Sequence, residues 1–309
     1  MCGIAGIIYK DGSHPIGAEM TRMLQSMKHR GPDSTGYALY GQPSNLVIMR
    51  YKLADANTPR DFEYEDRLRR HRAEVERRLH ALGAHVKELE EETEYAFRVT
   101  LAYDGDLKRL ADFIEDVPDV EVLSLGNSLE IVKDLGDAES VAGGYHLNDF
   151  NGTHAIGHVR MATESDVDIS GAHPYWAYPF SDVAVVHNGQ LTNYFYWRRR
   201  LERNGHRFQS ECDSEIIAVY LAELMTEGKS LEDSMRQSLE ELDGVFTYMC
   251  VTKDALGVCK DEMAAKPLVL YEADDLVALA SEEIAIRAIL DHEIDTYDPY
   301  EGEVLVWQR

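Results

Sequence analysis

The second residue of the chain is a cysteine, in the run MCGIAGII. Removal of Met1 makes Cys2 the N-terminal residue, so that a thiol and a free α-amino group belong to one residue. That pairing is a nucleophile with its own base attached. A free thiol ionises near ~8.5 and needs activation before it attacks. An α-amine with a pKa of ~7.7–8.0 is suited to proton transfer near neutrality.

Five further stretches carry residue types that such a nucleophile could use. HRGPDSTG (29–36) holds Arg30 and Asp33 in a loop broken by Gly31, Pro32 and Gly36. HVRMAT (158–163) ends a strand-like run with Arg160 and Thr163, and AHP (172–174) supplies His173. HNGQLTN (187–193) offers Asn188 and Gly189, and ECDSE (211–215) offers Asp213. Several of these have a second reading. Asn-Gly is a common hairpin turn signal, but NYFYWRRRLERNG reads as a helix and not as a partner strand. Asp213 is well placed to cap the helix that follows it, and Ser214 could take that part instead. Arg160 could be an ordinary ion-pair residue; its apolar strand favours a site. His154 and His158 sit four apart with no accompanying carboxylate and read as packing, so no metal site is expected. Cys2, Cys212, Cys250 and Cys259 show no CxxC spacing, which argues against a disulfide framework or a zinc–thiolate site.

The elements that must position these residues are legible in outline. GIAGIIY (3–9) reads as a buried strand, and Met20, Met23, Leu24 and Met27 fall on helical spacing. YALYG and LVIMRY (46–51) read as strands. From Asp61 to Glu92 the chain is strongly charged, with Leu68, Val75, Leu79, Leu82, Val86 and Leu89 forming a narrow apolar seam, and it reads as one long helix interrupted by Gly83. YAFRVTLAY, LKRLADFIEDV, VEVLSL and SLEIVKDL then alternate as strand, helix and two strands, so 53–142 reads as an inserted α/β module. Beyond it come the strands THAIGHVRMAT and DVAVVHNG, two helices with Gly205 as a C-terminal cap, and further strands to EVLVWQ.

Composition sets outer bounds. The chain has 309 residues, 44% of them hydrophobic, which is enough for one large domain with an insertion. No stretch approaches the ~18 apolar residues of a membrane span. The N-terminus lacks a basic and then apolar leader, so a cytoplasmic protein is expected. The formal net charge of −25 argues against nucleic-acid binding through a basic surface.

Taken together and in this order, MCGIAGI, HRGPDSTG, HVRMAT, AHP, HNGQLTN and ECDSE resemble the motifs of class II glutamine amidotransferases, the glutaminase branch of the N-terminal-nucleophile (Ntn) hydrolases. The resemblance covers roughly 1–50 and 145–309; the insertion lies outside it. It implies an α+β fold, a four-layer αββα sandwich, spanning 2–309 with the module 53–142 inserted. It implies that Cys2 attacks the side-chain amide of glutamine to give a γ-glutamyl thioester and ammonia. Asn188 and Gly189 would then form the oxyanion hole. Arg160 would hold the substrate α-carboxylate with Thr163 in support, Asp213 the α-ammonium, and His173 would shape the pocket. Arg30 and Asp33 would position Cys2 from behind. Met161 departs from the tryptophan that commonly follows the arginine in the sugar- and phosphoribosyl-linked branches. The architecture is most similar to free-standing glutaminase subunits of split glutamate synthases and N-methylglutamate synthase. That similarity implies a hetero-oligomer in which a partner synthase subunit, carrying FMN and iron–sulfur clusters, accepts the ammonia; no cofactor is expected in this chain. A scaffold subunit that keeps the fold, or an N-terminal cysteine amidase for another amide, are the competing readings.

Overall fold

The computed structural model describes residues 2–55, 57–161, 171–178, 180 and 182–309. Strand β1 (Gly3–Tyr9) is an apolar run with every residue buried. Helix α1 (Ile16–Ser26) buries Met20, Met23 and Leu24, the face that their spacing defines. Strands β2 (Ser34–Tyr40) and β3 (Val47–Lys52) follow. Next come α2 (Tyr64–Ala81), β4 (His85–Glu91), β5 (Ala96–Ala102), α3 (Leu107–Glu115), β6 (Glu121–Gly126) and β7 (Leu129–Leu135). The chain continues through α4 (Ala138–Gly144), β8 (His154–Arg160), β9 (Tyr175–Trp176), β10 (Ala184–Leu191), α5 (Tyr194–Arg203), α6 (Asp213–Thr226) and α7 (Leu231–Glu241). It closes with β11 (Gly244–Thr252), β12 (Ala255–Lys260), β13 (Val269–Glu272), β14 (Leu276–Ala280), α8 (Glu283–Arg287) and β15 (Val304–Gln308).

These strands form three antiparallel sheets, in the orders β13-β14-β1-β8-β2-β7, β15-β12-β11-β10-β9 and β4-β5-β3-β6. The first two stack face to face. Their approach is close enough that a Cβ on Gly6 of β1 would stand 2.9 Å from Met249 Sδ in β11. Helices α1, α4 and α8 cover the outer side of the first sheet, and α5, α6 and α7 that of the second. This is the four-layer αββα sandwich. No helix among the described residues is long and apolar enough to cross a membrane.

The third sheet with α2 and α3 is the inserted module, and the structure corrects its expected composition in two places. The charged stretch 61–92 is not one helix. Helix α2 stops at Ala81 in a Schellman motif: Gly83 takes φ +77°, Gly83 N–H donates to His80 O and Ala84 N–H to Leu79 O, both at 3.0 Å. Val86 and Leu89 then belong to the edge strand β4, whose exposed charged side chains guard its open edge. The helical seam was a coincidence of spacing across a glycine that ends the helix. The limits 53–142 also shift. Strand β3 pairs with β5 and β6 in the module, whereas β7 pairs with β2 in the main sheet. Both strands are equally apolar in sequence, and only their non-local partners assign them.

Buried ion pairs fasten the module to the sandwich. Glu130 on β7 accepts from Arg50 Nε on β3 at 2.8 Å and from Arg98 on β5 at 2.7 and 3.0 Å. Arg50 is buried and also paired with Glu92. Where the chain crosses back from β6 to β7, the Asp182 carboxylate accepts from the backbone N–H groups of Asn127, Ser128 and Leu129 at 2.8–3.2 Å. Removing one partner of a buried pair leaves an uncompensated charge, at a cost of about 3–5 kcal/mol. Glu130→Ala is therefore expected to lower the free energy of urea unfolding by that order. A loss below roughly 1 kcal/mol would show instead that the pair is no stronger than a surface one.

Candidate active site

Strand β1 lies between β8 and β14 in the main sheet, so the chain is held from its third residue onward. Gly3 is opposite Val159, and Ile4 exchanges bonds with Ser281 (its N–H donates to Ser281 Oγ at 3.0 Å, and Ser281 N–H to Ile4 O at 2.9 Å). Cys2 projects from the end of this strand, half-buried. Its carbonyl oxygen accepts two hydrogen bonds, from Arg30 Nε and from Asn188 Nδ2, each at 3.1 Å. Its thiol points at Met161 O, 3.9 Å away.

The HRGPD loop supplies the first of those donors. Arg30 is aimed by Glu282, whose Oε1 lies 2.5 Å from Nη1. Gly31 presses directly on β8, and a Cβ there would fall 2.5 Å from Val159 and Arg160 backbone atoms. Asp33 contributes through its backbone: its N–H donates to Arg160 O at 3.1 Å, and its carbonyl accepts from Gly136 N–H at 3.0 Å. Arg160 is the last residue of β8 and is buried. Its guanidinium lies against Gly171, where a Cβ would be 2.4 Å from Nη2. Thr163 lies outside the described residues.

Asn188 and Gly189 sit within β10, opposite Thr247 and Phe246 of β11, and not at a hairpin turn. The strand runs on to Leu191 before α5 begins. Gly189 has φ +153°, and a Cβ would stand 2.1 Å from Val245 O and 2.8 Å from His187 Nε2, so no side chain fits there. Neither expected cap of α6 is used. Cys212 occupies the cap position and makes no side-chain capping bond. Asp213 Oδ2 instead accepts from Leu191 N–H at 2.7 Å, tying the start of α6 to β10 two residues beyond Gly189. Asp213 is thus free of the helix end, and Ser214 faces inward to His173 Nε2 at 2.6 Å and His187 Nδ1 at 2.8 Å.

Three histidines pack behind the site. His158 stacks on His173 with ring centroids 4.1 Å apart, and His173 lies 6.4 Å from His187. Burial pushes all three imidazoles below the usual histidine range, His158 to about 3, with the neighbouring histidines and Arg160 adding to the effect at His158 and His173. His154 is a packing residue, stacked on Tyr40 at 4.2 Å with Nε2 against Thr252 O at 2.7 Å; burial lowers it to about 4. Cys250 and Cys259 are buried small residues. The sequence reading did not single out His187, Glu282 or an inward role for Ser214. The signal for two of them was present, since His187 and Ser214 are immediate neighbours of Asn188 and Asp213 in their motifs.

The assembled parts are those that nucleophilic attack on an amide requires: a thiol on the first strand, amide donors beside it, and an arginine and an aspartate in adjoining segments. Two stacked antiparallel sheets between helical layers, with a cysteine heading the central strand, define the Ntn-hydrolase class. The model of the glutamine amidotransferase domain matches residues 158–288. The whole chain aligns at 40% identity over 315 residues with a glutamine amidotransferase homologue of Methanothermobacter thermautotrophicus, covering all of both chains. It aligns at 35% identity with the glutamine amidotransferase-like protein GlxB of Rhizobium meliloti, covering 100% of this chain and 99% of that one. The chain belongs to the glutamine amidotransferase family. Its fold is that of the glutamine phosphoribosylpyrophosphate amidotransferase of B. subtilis, with a TM-score of 0.59 at 19% identity; 99% of this chain covers 47% of that one.

The buried histidines make stability depend on pH. His154, His158, His173 and His187 are held neutral when folded but take up protons once unfolded, so the unfolded state binds more protons below its pKa of ~6.5. Their contribution is complete above that value and is lost as the pH falls. Glu115, Glu92 and Glu215 have the opposite sign: burial raises their carboxyls, that of Glu115 to about 7, so they take up protons more readily in the folded state. The four histidines outnumber these three carboxyls, so stability should fall on acidification from pH 7 to 5. Thermal melting across that range checks this; a flat or rising Tm would contradict it.

Proposed function

We propose that this amidotransferase hydrolyses glutamine through Cys2 and delivers the ammonia to a synthase subunit on another polypeptide. The observation that carries the reading is the double hold on the Cys2 carbonyl, from Arg30 and Asn188, which fixes Cys2 beside an amide donor. The freed α-amine takes the thiol proton, and Sγ attacks the side-chain amide carbon of glutamine. An amide NH2 has two protons to give. One of those on Asn188 binds Cys2 O; the other, with Gly189 N–H, receives the oxyanion, a contribution of roughly 2.7–4 kcal/mol for such a donor. The intermediate collapses, and the amide nitrogen leaves as ammonia with the proton taken from the thiol. Water then cleaves the thioester to glutamate and restores the thiol.

Arg160 and Asp213 supply opposite charges for the two ends of an amino-acid head group. The guanidinium matches a carboxylate bidentately and the aspartate takes the ammonium. This pair favours glutamine over an amide that lacks an amino-acid head, and so disfavours the alternative of a general cysteine amidase. On this reading Thr163 supports the substrate carboxylate and His173 shapes the pocket from behind, while Asp33 braces it through its backbone.

The delivery step rests on two supports. The two relatives that align end to end with this chain, over 315 and 312 residues, are amidotransferases by name. Helix α5, which directly follows β10, exposes Phe195 and Tyr196 beside Arg199 and Arg203 on a chain of net charge −25, a surface suited to an acidic partner. The acceptor is a synthase subunit of the glutamate synthase or N-methylglutamate synthase type, bearing FMN and iron–sulfur clusters, in a cytoplasmic complex; the inserted module offers a further docking surface.

Intact mass after treatment with diazo-oxo-norleucine tests the nucleophile: the expected result is a protein lacking Met1 and carrying one adduct on Cys2. Cys2→Ala should abolish glutamine hydrolysis with unchanged melting, and turnover persisting in that variant would remove the mechanism. Arg160→Lys replaces a fork by a point charge and should raise the glutamine KM about tenfold. An unchanged KM would take Arg160 out of the pocket.

A further inference from the structure

Ser214 is buried one residue beyond Asp213. Its hydroxyl oxygen meets four groups: His173 Nε2 at 2.6 Å, His187 Nδ1 at 2.8 Å, Asp213 Oδ1 at 3.3 Å and Cys212 Sγ at 3.5 Å. A hydroxyl has one proton to donate and two lone pairs with which to accept. The four contacts therefore constrain one another.

The remaining ring nitrogens set the direction. His173 Nδ1 and His187 Nε2 are buried with no partner among the described residues. Each neutral imidazole carries one N–H, and burial keeps both rings neutral. If Ser214 donated to His173, that ring's proton would sit on Nδ1 as a stranded buried donor. Donation to His187 would strand a proton on Nε2 in the same way. Stranded buried N–H groups are rarer than under-used acceptors, and each leaves a desolvation penalty unanswered. One arrangement strands no proton. His173 Nε2–H and His187 Nδ1–H both donate to Ser214 Oγ, and the Ser214 hydroxyl donates to Asp213 Oδ1. Both lone pairs of the hydroxyl are then occupied, so the Cys212 thiol turns to Asp213 Oδ1, 3.7 Å away.

We propose that Ser214 is a positioning residue, whose hydroxyl is oriented by two histidine donors and in turn aims Asp213 at the ammonium group of the substrate. This rests on the reading that Asp213 binds that ammonium. Asp213 Oδ2 is already held by Leu191 N–H, so a bond from Ser214 to Oδ1 fixes the rotation of the carboxylate. The same hydroxyl joins three segments that are distant in sequence: the AHP segment through His173, the oxyanion strand through His187, and the start of α6.

The test combines a spectroscopic and a kinetic measurement on the full chain. In protein with 15N-labelled histidine, assigned with His173→Gln and His187→Gln, His173 should show the Nε2–H tautomer and His187 the Nδ1–H tautomer. A proton on His173 Nδ1 or on His187 Nε2 overturns the proposal. Ser214→Ala should raise the glutamine KM about tenfold and leave kcat within about twofold, the split expected when substrate binding alone is loosened. Ser214→Thr, which keeps the hydroxyl, should restore KM. An unchanged KM in the alanine variant, a loss confined to kcat, or a threonine variant as impaired as the alanine one would each overturn it. If the wild-type chain hydrolyses no glutamine, the functional reading fails, while the ring tautomers still decide the hydrogen-bond network.

Discussion

The rest of the site depends on one constraint: Cys2, the nucleophile we propose, precedes the first strand, where a chain ordinarily frays. Two hydrogen bonds to the Cys2 carbonyl answer it, from the Arg30 guanidinium and the Asn188 amide. They act where β1 emerges from between two neighbouring strands, so the backbone is fixed up to the nucleophile itself. Each donor is then fixed in turn. Glu282 holds Arg30, and Gly31 allows its loop to lie against β8. Asn188 is held in the ladder between β10 and β11. The nucleophile is thereby tied to both sheets, and the stacking of the sheets becomes part of the site geometry.

A second tier of contacts ties the binding groups to this frame. Arg160 ends β8, next to the strand that carries Cys2. Asp213 bonds Leu191 at the end of β10, and Ser214 gathers two buried histidines beneath it. The site thus uses helix starts and strand ends as fixed mounts for its polar groups. The cost of this design is acid sensitivity, since every neutral buried imidazole is a proton acceptor in the unfolded chain.

The inserted module uses charge where the sandwich uses apolar packing. Its docking contacts are Arg50 and Arg98 on Glu130, and Lys133 on Glu121, with the Tyr95 hydroxyl on Asp134 at 2.7 Å. Buried pairs give orientation more readily than net stability. The module also reaches the site's own scaffold. Gln209, four residues before Asp213, donates from Nε2 to Glu115 Oε1 and Val122 O at 2.8 Å each. Glu215 meanwhile accepts from the Gln209 and Ser210 N–H groups at 2.8 Å. The segment leading into Asp213 therefore lies between the module and α6.

By itself the sequence determined the parts whose signal is local. Six short motifs in a fixed order pointed to the family and the sandwich, because each needs particular residue types at close spacing, and the same motifs are what nominate Cys2 as the nucleophile we propose. Helices such as α1, α5 and α6 were legible from periodicity and from the breakers that end them. The tertiary structure decided what depends on distant partners. Strand β3 belongs to the module and β7 to the main sheet, although both are apolar runs. The charged stretch after Gly83 is an edge strand, because a left-handed glycine ends α2 before the apparent seam is complete. Asn-Gly lies within a strand, because β11, more than fifty residues later, supplies its partner. Glu282 and the histidines beneath Ser214 joined the site only on folding. A side chain's hydrogen-bond partner is set by where the backbone brings it, and spacing along the chain carries no record of that.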